Sequence, residues 1–213
     1  MNAGKARSIF AILVLYVLLP AIGRPVVLLH AKIWILWVIG ALAFVFQPPI
    51  SPMEGGRPQD RGSFRLIVWS IYLTQMAGVL EANYLRFPES YAWSLLSWVA
   101  LAVSLSGLAL RSWAVQTLGS FFTVHVQILD NHKVVTDGPY RYLRHPGYVG
   151  ALLLYLGLLL FVGSYWSLLT SIVILPIIFL YRVRVEERVL IERLGEPYQR
   201  YRVRVGALFP RLW

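Results

Sequence analysis

Between residues 146 and 181 the chain carries no charged side chain over 36 positions. At about 1.5 Å per residue, one helix of that length would reach roughly 54 Å, well beyond the ~30 Å hydrocarbon core of a bilayer. The run therefore has to fold back on itself. Gly163-Ser164-Tyr165-Trp166 lies near its middle and supplies the turn. The expected structure is a tight helical hairpin embedded in a membrane.

Four further uncharged runs precede it, at residues 8–23, 33–53, 66–80 and 90–110. Together they predict an all-α, polytopic integral membrane bundle of about six spans, five at the least, each somewhat short or tilted. Charged residues make up only 14% of the chain, against roughly 25% in soluble domains, which argues against a soluble or disordered chain. The first run begins near basic residues but shows no small-residue cleavage site, and a second span follows soon. It reads as a span, not as a cleaved signal.

The net charge is +10, and its placement points to membrane topology, not to nucleic acid. With six spans both termini share one side. Of the 20 lysines and arginines, all except Arg24, Lys32 and Arg86 fall on that side. An excess of basic residues marks the cytoplasmic face, so both termini are expected there. Cysteine is absent, which excludes disulfides, thiolate metal sites and a cysteine nucleophile. The four histidines (His30, His125, His132 and His145) show no metal-ligand spacing.

Residues 111–145 and 182–213 flank the hairpin, whose two ends bring them to the same membrane face. The expected organisation is a set of N-terminal spans (1–110) and a C-terminal region (111–213) in which the two flanking segments meet. In the first segment Asp137-Gly138-Pro139 is a turn signal. Pro146 suits the first turn of the hairpin helix, with Arg144 and His145 beside it at the membrane surface. The free N–H groups of that helix start favour an anionic neighbour. Gly147 and Gly150 leave one helix face slim enough for a ligand or a second helix to approach. Tyr140, Tyr142 and Tyr148 with Arg141 and Arg144 would equally make an interfacial belt against lipid headgroups. In the tail, Arg182, Glu186 and Leu190 share a helix face, and Gly195 with Pro197 ends the helix. Read alone, that face is a solvated one with weak ion pairs.

Arg144-His145-Pro146-Gly147-Tyr148-Val149-Gly150, then the hairpin, then Glu186-Glu187, then Gly195-Glu196-Pro197-Tyr198 with Tyr201, resembles the isoprenylcysteine carboxyl methyltransferase family. The chain looks like one of its small prokaryotic members, which implies an inner or plasma membrane location with the active site at the cytosolic face. The match covers roughly residues 125–210; the N-terminal spans match in hydrophobicity only. The resemblance implies an S-adenosylmethionine-dependent membrane methyltransferase. Its cofactor is held by the cytosolic segments, not by a Rossmann fold, and no G-x-G-x-x-G fingerprint is present.

Carried over by position, the cofactor site comprises His125, His132, Lys133, Val134, Val135, Tyr140, His145, Pro146, Gly147, Tyr148 and Glu186. His125 is loosely aligned, with Gln127 as its alternative. Arg182 matches the position that meets the acceptor carboxylate, and Arg144 joins it in the candidate catalytic set. Gly147 stands where serine or asparagine is common in the family. The implied partners are membrane lipids and a lipophilic or lipidated acceptor, most like an isoprenylcysteine carboxylate, with no nucleic acid. A phospholipid or amine N-methyltransferase shares the same cofactor elements. An NADPH-dependent reductase of the sterol-reductase type has a similar C-terminal region, but the short N-terminal half argues against it. A transporter would be expected to carry a charge at the centre of a span, which none of these runs does. A non-catalytic assembly factor is opposed by the density of matched positions.

Overall fold

The structure, a computed structural model, describes residues 3–46, 60, 62–122 and 134–211. Among these the regular structure is entirely helical, apart from one isolated bridge between Leu143 and Gly206. Helix α1 (Ala3–Leu13) continues through a π-helical turn, Val14–Leu18, into the short α2 (Leu19–Ala21). Then come α3 (Ala31–Val45), α4 (Ser63–Leu80, extended by π-helical Glu81–Leu85), α5 (Leu95–Leu118), α6 (Pro146–Phe161), α7 (Tyr165–Leu194) and α8 (Glu196–Arg204).

Among the described residues, four helical stretches are long and apolar enough to cross a membrane: Gly4–Ala21, Ser63–Leu85, Leu95–Phe121 and Tyr165–Leu194. Ala31–Val45 and Pro146–Phe161 are apolar but shorter, at 15 and 16 residues. The sequence marked six runs of comparable standing because it counted uncharged residues; helices obey caps and turns instead. Ser94 starts α5 by accepting the N–H of Ser97, four residues inside the run expected from residue 90. At its other end α5 passes straight through Arg111, since arginine is a good helix former. Helix α3 stops at Val45, and residues 47–53 of its expected run lie outside the described residues.

The hairpin forms where the sequence placed it. Helix α6 ends at Phe161, Gly163 takes a left-handed φ of 69° that a side chain would resist, and α7 begins at Tyr165. Tertiary contacts fix this turn. Ser164 Oγ donates to Gly78 O at 2.6 Å. The carboxylate of Glu81 accepts from the N–H groups of Trp166 (3.0 Å) and Ser167 (2.7 Å) and from Ser167 Oγ (2.7 Å). A side chain from α4 thus caps the orphan donors at the start of α7, where the helix dipole favours negative charge. Nearby, buried Lys32 donates to Ser90 O (3.0 Å), Ala92 O (2.7 Å) and Ser97 Oγ (2.9 Å).

Helix α6 lies directly on α5. A Cβ on Gly150 would fall 2.7 Å from both the backbone N of Arg111 and Gly107 O, so only glycine permits this approach. The core runs from Ile12, Val17, Val27 and Phe161 at the turn end, through Ile39, Leu108 and Leu154, to Ala151, Leu175 and Phe179 below the opposite end. That opposite end is where α6 starts and the last turns of α7 pass.

Candidate active site

Pro146 occupies the first turn of α6, and no side chain caps this helix start. Arg111, near the end of α5, secures it from outside by donating Nη1–H to Gly147 O at 2.9 Å. His145 and Tyr148 project from this start as near-parallel rings, 5.6 Å between centroids at 15°. The edge of Phe179 packs on Tyr148 at 5.5 Å.

Helix α7 delivers the acids and one base. Tyr148 OH donates to Glu186 Oε2 at 2.5 Å and accepts from Arg182 Nε at 3.2 Å, so one phenol joins the two α7 side chains. His145 Nδ1 stands 3.9 Å from the same Glu186 oxygen. The solvated helix face with weak ion pairs that the tail sequence suggests when read alone is not what the structure contains. Arg182 is only 4% exposed and directs Nη1 to Asp60 Oδ1 at 2.7 Å.

Glu187 faces a different set. It pairs with Arg144, which approaches Oε1 through Nε (2.8 Å) and Nη2 (2.6 Å). His145 Nε2 lies 3.2 Å from the same oxygen, and Arg202 Nε lies 3.3 Å from Oε2. Glu187 is thus enclosed by three basic groups, with its side chain 10% exposed, whereas that of Glu186 is 30% exposed. Of the adjacent acids, Glu186 is the one that remains open to a ligand.

The tail closes over the start of α6. Gly195, at φ 61°, ends α7 and opens α8, with Pro197 in the first turn. Beyond α8 the chain runs beside residues 143–145, where Arg144 N–H donates to Gly206 O (2.8 Å) and His145 N–H to Ala207 O (3.1 Å). Arg144 Nη1 also donates to the carbonyls of Arg202 and Val205. Tyr201 OH donates to Tyr140 O at 2.6 Å. Burial pushes the Tyr201 phenol up to about 12, against the lowering effect of the Arg144 charge, so it stays a donor. Burial, and then the Glu186 charge, raise Tyr140 as well.

Residues 98–192 match the model of the isoprenylcysteine carboxyl methyltransferase family. A probable protein-S-isoprenylcysteine O-methyltransferase of Oryza sativa subsp. japonica is 33% identical over 181 residues, spanning 82% of this chain and 95% of the rice protein. The chain belongs to the isoprenylcysteine carboxyl methyltransferase family. The protein-S-isoprenylcysteine O-methyltransferase of Schizosaccharomyces pombe is 33% identical over 156 residues, 65% of this chain and 66% of the yeast one. The solved structure of a eukaryotic intramembrane Ras methyltransferase, an isoprenylcysteine carboxyl methyltransferase, superposes with a TM-score of 0.65 at 24% identity. It covers 97% of this chain and 75% of that one, and the likeness is one of fold. The chain is accordingly an integral membrane protein of helical spans, in a family of methyltransferases that use S-adenosylmethionine.

The residues present fit that cofactor. It carries a sulfonium cation and an ammonium group, and Glu186 offers a half-open carboxylate beside His145 and Tyr148. A Cβ on Gly147 would meet nothing closer than 3.8 Å, so the backbone there has room beside it. The hydroxyl of buried Tyr198 has no hydrogen-bond partner among the described residues. Burial, then the charges of Glu187 and Glu186, push that phenol up, so it stays a proton donor near two acids. Of the positions expected from sequence, Tyr140, His145, Pro146, Gly147, Tyr148, Arg182 and Glu186 gather around the start of α6, with Arg144 on its tail side. Val134 and Val135 are half-buried, and no contact of theirs with this cluster is recorded among the described residues. His125, His132 and Lys133 lie outside the described residues.

Four participants escaped the sequence reading. In the sequence Glu187 stands only as the second acid of a motif, and its distinct partners follow from the ~100° turn between successive helix positions. Arg111 reads there only as a topology charge, and Tyr198 only as part of the resemblance. Asp60 stands 122 residues from its partner Arg182 and gave no local signal.

Proposed function

We propose that this protein methylates the carboxylate of a lipophilic acceptor, most like an S-isoprenylated cysteine, at the cytosolic face of the membrane. The observation that carries this reading is the convergence of His145, Tyr148, Arg182 and Glu186 from the two ends of one hairpin. Residues 111–213 form the catalytic region and residues 1–110 the membrane scaffold, with α5 shared between them. Six helices cross the bilayer, α3 and α6 as short crossings, which places both basic termini in the cytoplasm.

S-adenosylmethionine supplies a methyl group already activated on sulfur. Glu186 would meet its positive charge, and His145 and Tyr148 would hold it from beside that carboxylate, with Tyr140, Pro146, Gly147, Val134 and Val135 completing the proposed site. Arg182 orients the acceptor carboxylate; its planar guanidinium suits that role better than a lysine would. An α-carboxyl group has a pKa of about 3.5 and is ionised at neutral pH, so no general base is required. The protein's task is to align the reacting atoms at roughly 3–3.5 Å and to keep water from the acceptor oxygen. Arg144 acts as a positioning residue, holding Glu187 and hence His145. A neutral amine acceptor would gain nothing from Arg182, so the carboxylate reading is favoured over N-methylation.

The test has two arms. Calorimetry of the detergent-purified chain should show S-adenosylmethionine binding, weakened at least tenfold by Glu186→Gln and by His145→Ala. With labelled cofactor, label should enter an S-isoprenylated cysteine carrying a free carboxylate and should be lost on mild base hydrolysis, as expected of an ester. Unaltered affinity in both variants would reject the cofactor site. Base-stable label would transfer the assignment to an amine acceptor.

A further inference from the structure

The Asp60–Arg182 pair is the least expected contact in the molecule. Asp60 is fully buried and Arg182 nearly so, and they meet at 2.7 Å from opposite parts of the chain. The same Nη1 donates to Ser63 Oγ at 3.0 Å, and Ser63 Oγ donates to Asp60 O at 2.6 Å. Arg182 Nε is engaged with Tyr148 OH. The guanidinium is therefore bound on two sides by protein groups that fix its plane.

This arrangement matters because of what the reaction does to charge. An acceptor oxygen forms a bond to the methyl carbon, the S–CH3 bond breaks, and its electron pair stays on sulfur. No proton moves. One carboxylate and one sulfonium become a neutral ester and a neutral thioether. If the acceptor carboxylate were the sole counter-charge of Arg182, methyl transfer would strand a buried cation, which is strongly unfavourable. Guanidinium cannot escape by deprotonating.

We propose that Asp60 is the standing counter-ion of Arg182, a positioning residue that keeps the guanidinium paired when methylation consumes the acceptor's charge. Asp60 also shares Arg182 with the acceptor, so the acceptor carboxylate is held loosely enough to remain nucleophilic. The inference rests on Arg182 meeting the acceptor carboxylate, as proposed above. It adds that the site discriminates only modestly between acid substrate and ester product, and that Asp60 sets that ratio.

The experiment uses the full chain reconstituted in vesicles with S-adenosylhomocysteine bound. Displacement assays compare an S-isoprenylated cysteine acid with its methyl ester. Asp60→Asn should raise the acid-over-ester affinity ratio at least tenfold. Turnover with S-adenosylmethionine should show a lower kcat and an acceptor KM that is unchanged or reduced, with cofactor Kd within twofold of wild type. Asp60→Glu, which restores the charge, should return the ratio to within threefold of wild type. An unchanged ratio in Asp60→Asn, or a raised KM at unchanged kcat, would overturn the proposal.

Should Asp60→Asn fail to fold, the Asp60→Asn/Arg182→Gln double variant removes both buried charges together. It should fold better than Arg182→Gln alone and bind acid and ester equally; a double variant no more stable than Arg182→Gln would overturn the pairing. The underlying reading fails separately, if wild type shows no methyl transfer or if Arg182→Gln keeps the full acid preference.

Discussion

Arg144 ties the tail to the candidate site, and replacing it with alanine tests that link. The substitution removes two contacts to one oxygen of Glu187 and two donations to the carbonyls of Arg202 and Val205. Breaking a buried ion pair by deleting one partner typically costs ~3–5 kcal/mol. Glu187 keeps His145 Nε2 and Arg202 Nε, both somewhat longer contacts, so the loss should lie lower, at about 2–3 kcal/mol. For a chain of this length that corresponds to a fall in Tm of about 5–10 °C. Arg144→Lys retains a charge but cannot reach Glu187 and the two carbonyls at once, so it should recover about half of the loss. Thermal unfolding of the detergent-solubilised protein, followed by circular dichroism, measures both. The cofactor should also bind several-fold more weakly in Arg144→Ala, because His145 shares the Glu187 oxygen. If both variants melt within 2 °C of wild type, the tail does not clasp the start of α6 and the reasoning fails.

Glycine positions on α6 should separate cleanly. Gly150→Ala should lower Tm by several degrees, because its new methyl group meets the backbone of α5, whereas Gly147→Ser should leave both Tm and cofactor affinity nearly unchanged. Tyr201→Phe removes the donation to Tyr140 O, and a Tm fall of a few degrees, matching about 1 kcal/mol, is expected. Because the Tyr201 phenol is raised in the folded chain, its stabilising contribution is complete below about pH 10 and drains away as pH rises towards 12. Melting curves across that window should therefore fall less steeply for Tyr201→Phe than for wild type; parallel curves would remove the phenol from the account.

The hairpin was legible because its two constraints are local: an uncharged run too long for one crossing, and a glycine where the turn needs a left-handed residue. The end of α7 at Gly195 and the start of α6 at Pro146 were legible for the same reason. The meeting of the segments before and after the hairpin followed from its geometry alone. Helix ends elsewhere were less readable. Counting apolar residues stops at Arg111, while the helix continues until Gly119, where φ turns positive. The division of labour between Glu186 and Glu187 was hidden, since it depends on which side of α7 faces Tyr148 and which faces Arg144. Asp60 was invisible for a related reason: one acid between two apolar runs gives no periodic signal, and only folding brings it to Arg182.

Glu81 holds the beginning of α7 and Tyr148 holds Glu186 near its other end, with 18 residues between Ser167 and Glu186. That stretch behaves as a ruler clamped at both tips. Inserting or removing one residue within it would swing the acids by about 100° and slide them by about 1.5 Å. The membrane-facing side chains of α7 are therefore free to drift by substitution among apolar types, while the helix's length is held as tightly as any residue it carries.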